Sequence, residues 1–331
     1  MKNFVLVLII LLSFQPAFAQ HTVYKNLVLE GGGIRGFAYA GAFEILDSLH
    51  LLKHIERVGG TSAGAIQATL LAVGYTPKEM TTIAANIPLK KFNDGFFPGG
   101  LSRLKRRLGF FKGNKLTAWM EQLIAAKTGD GDITFRRLHE VAIKNNYKQL
   151  YITGTDLTYR CLRVFCFETY PEMKVKDALR ISFSIPLYFE PVVIDDKGAV
   201  QKNNAQNNFH TMVDGGLLSN YPITMFDFKL YNSSNNDENA ETLGLLLDKP
   251  EQVSFRPGES YPLPVHSLAQ YVSAVYQTLI DKPNPDRPSL QRTITISHLN
   301  LSGMVRKLSP ATIQKLVESG RQGVRRFFVN R

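Results

Sequence analysis

The segment Gly60-Thr61-Ser62-Ala63-Gly64 lies between a short apolar run, Ile55–Gly59, and a helical run of small residues, Ala65–Tyr75. A Gly-x-Ser-x-Gly pattern between a strand and a helix is typical of a sharp turn that places a serine oxygen at a helix N-terminus, where developing negative charge is stabilised. The same string can also arise by chance in a chain with 25 glycines. The segment makes Ser62 a candidate nucleophile whose role depends on the rest of the chain.

Strand, turn and helix follow one another twice at the start of the chain. Leu27–Glu30 is apolar and ends at Gly31-Gly32-Gly33, and Gly36–Leu49 has the small residues of a helix that lies close to a sheet. The strand Ile55–Gly59 and the serine turn repeat this order, which predicts a parallel sheet with right-handed crossovers. Later strands are predicted at Leu150–Thr155, Cys161–Glu168, Met212–Asp214, Thr242–Leu247 and Thr293–His298. Later helices are predicted at Asn114–Lys127, Val175–Phe183, Pro264–Ile280 and Pro310–Phe327.

The first 19 residues have the features of an export signal. Lys2 supplies the positive charge, Phe4–Phe14 the apolar core, and Ala17-Phe18-Ala19 the small-x-small cleavage pattern. The apolar run is about half of the roughly 20 residues that a membrane span needs. We therefore expect residues 1–19 to be a cleaved signal peptide and the product to be periplasmic or secreted.

The remaining residues, 20–331, are enough for one large domain and few for two. The chain has 39 Lys and Arg against 28 Asp and Glu, a formal net charge of +11. Such a charge suits anionic lipid headgroups or nucleic acid, and charge alone does not choose between them. Cys161 and Cys166 lie five residues apart on one predicted strand, so they face opposite sides and cannot bridge. We interpret both as core residues.

The glycine-rich turn Gly31-Gly32-Gly33-Ile34-Arg35-Gly36 allows three interpretations. It fits the dinucleotide-binding fingerprint, and Glu56 follows at about the expected 20 residues. Consecutive glycines can also direct several backbone N–H groups towards one point and so form an oxyanion hole for acyl transfer. The third interpretation is that the turn serves only the packing of the chain. The serine turn on the next predicted strand favours the oxyanion hole.

A nucleophilic serine needs a base. Four histidines follow Ser62, and none has sequence neighbours typical of a catalytic histidine: His139, His210, His266 and His298. Of these, His298 lies at a predicted strand end and is the best candidate. Asp214 ends a short apolar strand, and the glycines after it let the chain turn and another loop approach. A partly desolvated aspartate could take the serine proton directly.

Taken together, Gly31-Gly32-Gly33-Ile34-Arg35-Gly36, Gly60-Thr61-Ser62-Ala63-Gly64 and Asp214-Gly215-Gly216 resemble the patatin-like phospholipase family. Further similar blocks are Thr134-Phe135 with Leu138, Gly154–Leu157 and Ala178–Pro186. The resemblance covers the chain from about Leu27 to Pro222, and the part over 223–331 carries no motif that we recognise.

The resemblance implies a three-layer α/β/α fold with a mostly parallel central sheet, related to α/β-hydrolases, and a Ser–Asp dyad without histidine. It makes Ser62 the nucleophile and Asp214 the general base. The backbone N–H groups of Gly31, Gly32 and Gly33 are the implied oxyanion hole, with Ala63 as a further donor. Arg35 occupies the basic position of the family and is expected to act locally, on the loop or its electrostatics. The small residues that support these motifs are Gly36, Gly60, Gly64, Gly215 and Gly216.

The implied reaction is hydrolysis of an acyl ester of a lipid or phospholipid through an acyl-serine intermediate. It needs no metal or cofactor, and no nucleic acid partner is expected. Two alternatives remain open: a histidine-dependent serine esterase, and a nucleotide-binding or non-catalytic protein that uses the glycine-rich turn.

The segment Leu101–Lys112, just after Phe96-Phe97-Pro98, mixes basic and apolar side chains. The basic ones are Arg103, Lys105, Arg106, Arg107 and Lys112. Such a segment could contact an anionic membrane transiently or act as a lid. It could equally be a helix with its charged face in water and its apolar face on the core.

Overall fold

The structure is a computed structural model. It describes residues 23–329 apart from 96–98, 146, 202–208, 233–236, 302, 304–307 and most of 249–286. The predicted signal peptide, the segment Phe96-Phe97-Pro98 and most of the predicted helix Pro264–Ile280 lie outside the described residues.

The elements follow the predicted order. The strands are β1 (Asn26–Leu29), β2 (Arg57–Gly60), β3 (Gly109–Phe111), β4 (Gln149–Asp156), β5 (Cys161–Phe165), β6 (Leu187–Phe189), β7 (Val192–Ile194), β8 (His210–Asp214), β9 (Thr242–Asp248) and β10 (Thr293–Ser297). The α-helices are α1 (Ala38–Ser48), α2 (Ala63–Ala72), α3 (Pro77–Asn86), α4 (Gly99–Arg107), α5 (Asn114–Thr128), α6 (Phe135–Asn145), α7 (Val175–Ser182), α8 (Gly216–Ser219), α9 (Arg287–Gln291) and α10 (Pro310–Val329).

The main sheet has the order β10-β9-β1-β2-β4-β8-β7, and β5 pairs with β4 outside this path. The neighbours from β10 to β4 run parallel, whereas β5, β8 and β7 pair antiparallel. This confirms the predicted mixed α/β fold with a mostly parallel sheet. Because β1 and β2 are parallel, their C-terminal ends, at Leu29 and Gly60, lie side by side.

Both faces of the sheet are buried. Successive side chains of a strand point to opposite faces, and in β1 Leu27 and Leu29 join a large apolar cluster whereas Val28 joins a smaller one. The large cluster includes Phe43 of α1, Leu70 of α2 and Leu316 of α10. The small cluster includes Tyr151, Ile223 and Phe226. Cover on both faces gives the predicted three layers.

Two local expectations are wrong. The segment Leu101–Lys112 is not one helix, because α4 ends at Arg107 and Leu108 has a φ of 61° before β3 begins. β3 pairs with β6 in a separate two-stranded sheet. Cys161 is also not a core residue: it is partly exposed at the start of β5, whereas Cys166 is buried just beyond the strand, and both are free thiols.

Candidate active site

The serine turn connects β2 to α2. Ser62 is buried and has φ 52° and ψ −118°, a left-handed region that a residue with a Cβ rarely adopts and that stores strain. The following helix starts directly against β1, since a Cβ on Gly64 would clash with the Leu29 carbonyl oxygen. A strained serine at a helix N-terminus is the geometry expected of a nucleophile turn.

Hydrogen bonds from other elements hold this turn. The Ser62 N–H donates to Ser182 Oγ at 2.9 Å. The Thr61 hydroxyl lies 2.6 Å from Thr153 Oγ1 and donates to the Ser219 carbonyl oxygen at 2.9 Å. Because these bonds engage the backbone of Ser62 and the side chain of Thr61, they fix the turn and leave the Ser62 hydroxyl for another role.

Asp214 ends β8 opposite Gly154 of β4, and its side chain is fully buried. Its N–H donates to the Ser184 carbonyl oxygen at 2.9 Å. Carboxylate oxygen Oδ1 accepts the Gly216 N–H at 2.8 Å. Oxygen Oδ2 is enclosed and has no hydrogen-bond partner within the described residues. A buried carboxylate oxygen without a donor is uncommon and is often found where chemistry occurs.

Burial raises the pKa of Asp214 to about 7, although hydrogen bonding from the Gly216 N–H and the Ser62 and Tyr276 hydroxyls lowers it in part. The two hydroxyls are thus close to the carboxylate, but neither forms a hydrogen bond of ordinary geometry to Oδ2. The structure brings Ser62 and Asp214 together. A pKa near neutrality makes the carboxylate a stronger base than an exposed aspartate.

Tyr276 is a site residue that the sequence reasoning missed. It is buried, and its hydroxyl lies 2.9 Å from the point that a Cβ on Gly216 would occupy. Burial, with the nearby Asp214 charge, raises the pKa of Tyr276 well above its usual value. The tyrosine belongs to the part of the chain in which we found no motif, and no local pattern marks it.

The glycine-rich turn has unpaired donors, but not at every glycine. The Gly31 N–H donates to the Asn220 carbonyl oxygen at 2.9 Å, so it is occupied. Among the described residues, no acceptor meets the N–H groups of Gly32, Gly33 and Ala63. Of the three glycines expected to supply an oxyanion hole, Gly31 therefore has its N–H engaged by the backbone of Asn220.

The two turns pack against each other, and Arg35 supports one of them. A Cβ on Gly36 would lie 3.0 Å from the Ala63 Cβ. Arg35 is buried, and its Nε donates to the Gly32 carbonyl oxygen at 3.2 Å. Gly33 has a φ of 53°, and a Cβ there would clash with the Gly303 carbonyl oxygen. Arg35 thus contacts the loop backbone.

Two of the four candidate histidines are engaged elsewhere, and a third, His298, is buried just beyond the end of β10. His139 stacks on Phe167 with ring centroids 3.9 Å apart, and His210 lies between Asp156 and Asp196. In the part of the chain that the structure describes, no histidine lines the cavity at Ser62.

The dinucleotide interpretation also loses support. Glu56 precedes β2 and therefore lies at the opposite end of the parallel strands from the glycine-rich turn that follows β1. An acidic residue at that end cannot reach a ligand bound at the turn.

A cavity of about 80 Å³ opens at Ser62 and is partly open to solvent. Its walls come from both turns and from four neighbouring segments: Gly33, Ile34, Gly36, Phe37, Ser62, Ala63, Ile66, Gln67, Ile87, Leu89, Phe92, Leu116, Trp119, Phe183, Ile185 and Phe189. Apart from Ser62 and Gln67, the lining side chains are aliphatic or aromatic. A lining of this character suits a mostly apolar ligand.

Comparison with known proteins finds similarity over most of the chain. A family model described as patatin-like phospholipase matches residues 27–227. An uncharacterised protein of Acanthamoeba polyphaga mimivirus is 33% identical over 286 residues, which are 83% of this chain and 89% of that protein. A probable lipid hydrolase of Invertebrate iridescent virus 6 is 31% identical over 218 residues, 64% of this chain and 66% of that protein. The crystal structure of VipD from Legionella pneumophila matches with a TM-score of 0.58 at 17% identity, over 93% of this chain and 67% of that chain, a likeness of fold.

Proposed function

Because this chain belongs to the patatin-like phospholipase family, we propose that it is a serine hydrolase that cleaves acyl esters of lipids, with Ser62 as nucleophile and Asp214 as general base. The observation that carries the proposal is the buried Asp214 carboxylate, which lies beside the Ser62 hydroxyl and keeps one oxygen without a donor. The apolar cavity at the same serine supports an acyl chain as the substrate group. The proposed mechanism needs no cofactor.

In the first half of the proposed reaction, Asp214 takes the Ser62 hydroxyl proton as Oγ attacks the ester carbonyl carbon. The carbonyl oxygen becomes an oxyanion, for which the free N–H groups of Gly32, Gly33 and Ala63 are the available donors. Collapse of the tetrahedral intermediate breaks the bond to the alcohol, which leaves with the proton from Asp214. The product is an acyl ester of Ser62.

In the second half, Asp214 takes a proton from a water molecule that attacks the acyl carbon. The same backbone donors stabilise the second oxyanion. When the intermediate collapses, the proton returns from Asp214 to Ser62 Oγ and the fatty acid is released. The strained Ser62 backbone and its bond to Ser182 hold Oγ in place through both steps.

A fluorophosphonate probe followed by mass-spectrometric mapping tests the proposal. We expect the label on Ser62, no label in Ser62→Ala, and full labelling in Ser48→Ala, since Ser48 is an exposed serine at the end of α1. Ser62→Ala should also abolish turnover of a chromogenic ester. Label on another residue, or normal turnover by Ser62→Ala, would contradict the proposal.

The alternatives predict other results. Loss of turnover in His298→Gln with normal turnover in Asp214→Asn would favour a histidine-dependent esterase. Nucleotide binding in calorimetry, together with an unlabelled Ser62, would favour a nucleotide-binding protein.

We also propose that the tip formed by α4, β3 and β6 contacts anionic membrane transiently. Leu108 and Leu187 are exposed there, and Leu187 lies next to Leu108 because it pairs with Gly109. Lys105, Arg106 and Arg107 at the end of α4 are exposed. Phe189, two residues after Leu187, lines the cavity, so this tip adjoins the entrance for substrate. Exposed apolar side chains next to basic ones are suited to contact with an anionic lipid surface.

Arg103 is not part of this surface, because it pairs with Glu190 at 3.1 Å and donates to the Phe110 carbonyl oxygen at 3.0 Å. The variant that tests the surface is therefore the triple change of Lys105, Arg106 and Arg107 to Gln. We expect weaker sedimentation with vesicles containing phosphatidylserine and normal turnover of a soluble ester. The matched control changes three exposed lysines elsewhere, at Lys78, Lys144 and Lys197. Equal binding by both triple variants would contradict the membrane proposal.

We propose, finally, that residues 1–19 are removed on export and that the protein is periplasmic or secreted. The composition of the segment supports this. N-terminal sequencing of the protein from its native cell should give Gln20 as the first residue, and an intact Met1 would contradict export by cleavage.

A further inference from the structure

Gln67 is a polar residue in the mostly apolar cavity at Ser62. It lies on α2, five residues after Ser62, which corresponds to about 7.5 Å along the helix axis. Around it the cavity walls are apolar, with Phe92, Trp119 and Phe183 among the lining residues. Gln67 is thus the one amide side chain among the described residues that line the cavity.

The fold leaves the oxygen of this amide unpaired, on a side chain that is partly buried. Gln67 Oε1 is enclosed and has no hydrogen-bond partner in the described parts of the chain. By contrast, the nearby hydroxyls of Thr61 and Thr69 are bonded, Thr69 to the Ala65 carbonyl oxygen at 2.8 Å. An unpaired buried polar group costs free energy, and Leu or Met would fill the same space without that cost. The position of Gln67 therefore indicates a partner that the ligand supplies.

We infer that the acyl cavity is specific for a chain that carries a hydroxyl group a few carbons from its ester carbonyl. The inference rests on the proposed function, because it places the ester at Ser62 and the chain along α2. A hydroxyl both donates and accepts hydrogen bonds. Rotation of the Gln67 amide by 180° places either its oxygen or its nitrogen at the same point. Gln67 would hold the hydroxyl while the apolar walls hold the rest of the chain.

The test compares two esters of one alcohol and one chain length, with and without a β-hydroxyl group. We expect the wild-type protein to favour the hydroxyacyl ester in kcat/KM by about tenfold, since a site with an unpaired polar group discriminates against a chain that cannot pair with it. Gln67→Met keeps an unbranched side chain of similar length without the amide, and should abolish or reverse the preference. Gln122→Met, at an exposed glutamine of α5, should retain it.

A second measurement does not depend on a change at Gln67. The free β-hydroxy fatty acid should raise the melting temperature of Ser62→Ala more than the unsubstituted acid does at the same concentration. If wild-type protein cleaves both esters at Ser62 with equal kcat/KM, or Gln67→Met keeps the wild-type preference, the inference is wrong and the proposed function stands. If neither ester is cleaved, both are wrong.

Discussion

Two aspartates of this protein are fully buried on adjacent antiparallel strands, and their pKa values move in opposite directions. Asp156 ends β4 and pairs with Met212, two residues before Asp214 on β8. Burial raises the pKa of Asp214 to about 7. Burial alone would also raise the pKa of Asp156, but hydrogen bonds from His210, the Tyr159 N–H and Arg163 outweigh it and hold that pKa below its usual value.

Asp214 lies deeper than Asp156, and the two also differ in the number of donors. Among the described residues, Asp214 accepts one hydrogen bond of ordinary geometry, from the Gly216 N–H. Asp156 accepts from two backbone N–H groups and two side chains: Thr158, Tyr159, His210 at 2.7 Å and Arg163 at 3.2 Å. Donors to the ionised form stabilise it and offset the cost of burial. A solvent-shielded carboxylate with many donors is therefore structural here, whereas the deeper one, with an oxygen that no described residue pairs, is a candidate base.

The largest expected effect comes from Asp214→Asn. We expect kcat to fall by about 10²–10⁴-fold, the usual contribution of a general base. The same change should stabilise the fold at pH 8 by up to about 4 kcal/mol, since a carboxyl whose folded pKa is raised by some three units opposes folding once it ionises. That gain should vanish near pH 4, where the carboxyl is protonated in the folded state. Urea unfolding of the wild-type protein and Asp214→Asn at pH 8 and pH 4 measures this difference in stability.

The control for this variant is Asp47→Asn, at an exposed aspartate of α1. It should change neither turnover nor the pH dependence of stability. A loss of stability in Asp214→Asn at pH 8 would mean that the carboxylate has a structural role, and the contrast with Asp156 would fail.

The next largest effect is expected from Asp156→Asn. The change leaves the charges of His210 and Arg163 without their buried partner, and we expect a loss of about 3 kcal/mol in the free energy of unfolding. The loss should shrink at low pH, because a carboxylate with a lowered pKa stabilises the fold above its unfolded pKa and loses that effect as pH falls through the folded one. Folded Asp156→Asn should still turn over ester. If it is as stable as wild type at pH 7, the donors around Asp156 do not stabilise the fold.

A smaller effect is expected from His210→Gln, with the opposite pH dependence. Burial lowers the pKa of His210, but the hydrogen bonds to Asp196 and Asp156 outweigh burial and raise it overall. The stabilisation is complete below the unfolded pKa of about 6.5 and is lost as pH rises through the raised folded pKa. We expect a loss of about 2 kcal/mol at pH 5.5 and a smaller one at pH 9. His54→Gln, at an exposed histidine, is the control, and a loss that grows with pH would contradict this prediction.

The smallest effect is expected from Tyr276→Phe. The wild-type kcat/KM should rise with pH through about 7 as Asp214 loses its proton. The Tyr276 hydroxyl lowers the pKa of Asp214, so its removal should move the midpoint of this profile to higher pH and reduce turnover on the acidic side. Tyr271→Phe, at an exposed tyrosine of the same segment, should leave the profile unchanged. Coincident profiles for the two variants would contradict a role for Tyr276 at Asp214.

What the sequence predicted well is local. The turns at Gly31, Ser62 and Asp214 each follow a short apolar strand, and glycines beside them allow backbone geometries that few other residues adopt. The observed ends of β1, β2 and β8 lie within two residues of the predicted ones. These signals lie within a few residues of one another, so one sequence is enough to read them.

What the sequence did not reveal depends on contacts between distant residues. The Gly31 N–H is occupied by Asn220, and Tyr276 reaches Asp214 from a segment without a motif. The segment around Leu108 has the composition of a helix, yet its pairing with Leu187 in a two-stranded sheet ends the helix early. Such pairings follow from packing, and no local propensity specifies them.

The position of β9 also bears on how this protein can be divided. The family match ends at residue 227, but β9 (Thr242–Asp248) lies between β1 and β10 and pairs with every residue of β1. A fragment that stops at 227 would leave β1, the strand that leads into the glycine-rich turn, as a bare sheet edge with unsatisfied N–H and C=O groups. Exposed apolar edges of this kind recruit strands from other molecules. The fragment should accumulate as insoluble aggregate, and the smallest unit that folds alone should extend at least through β10.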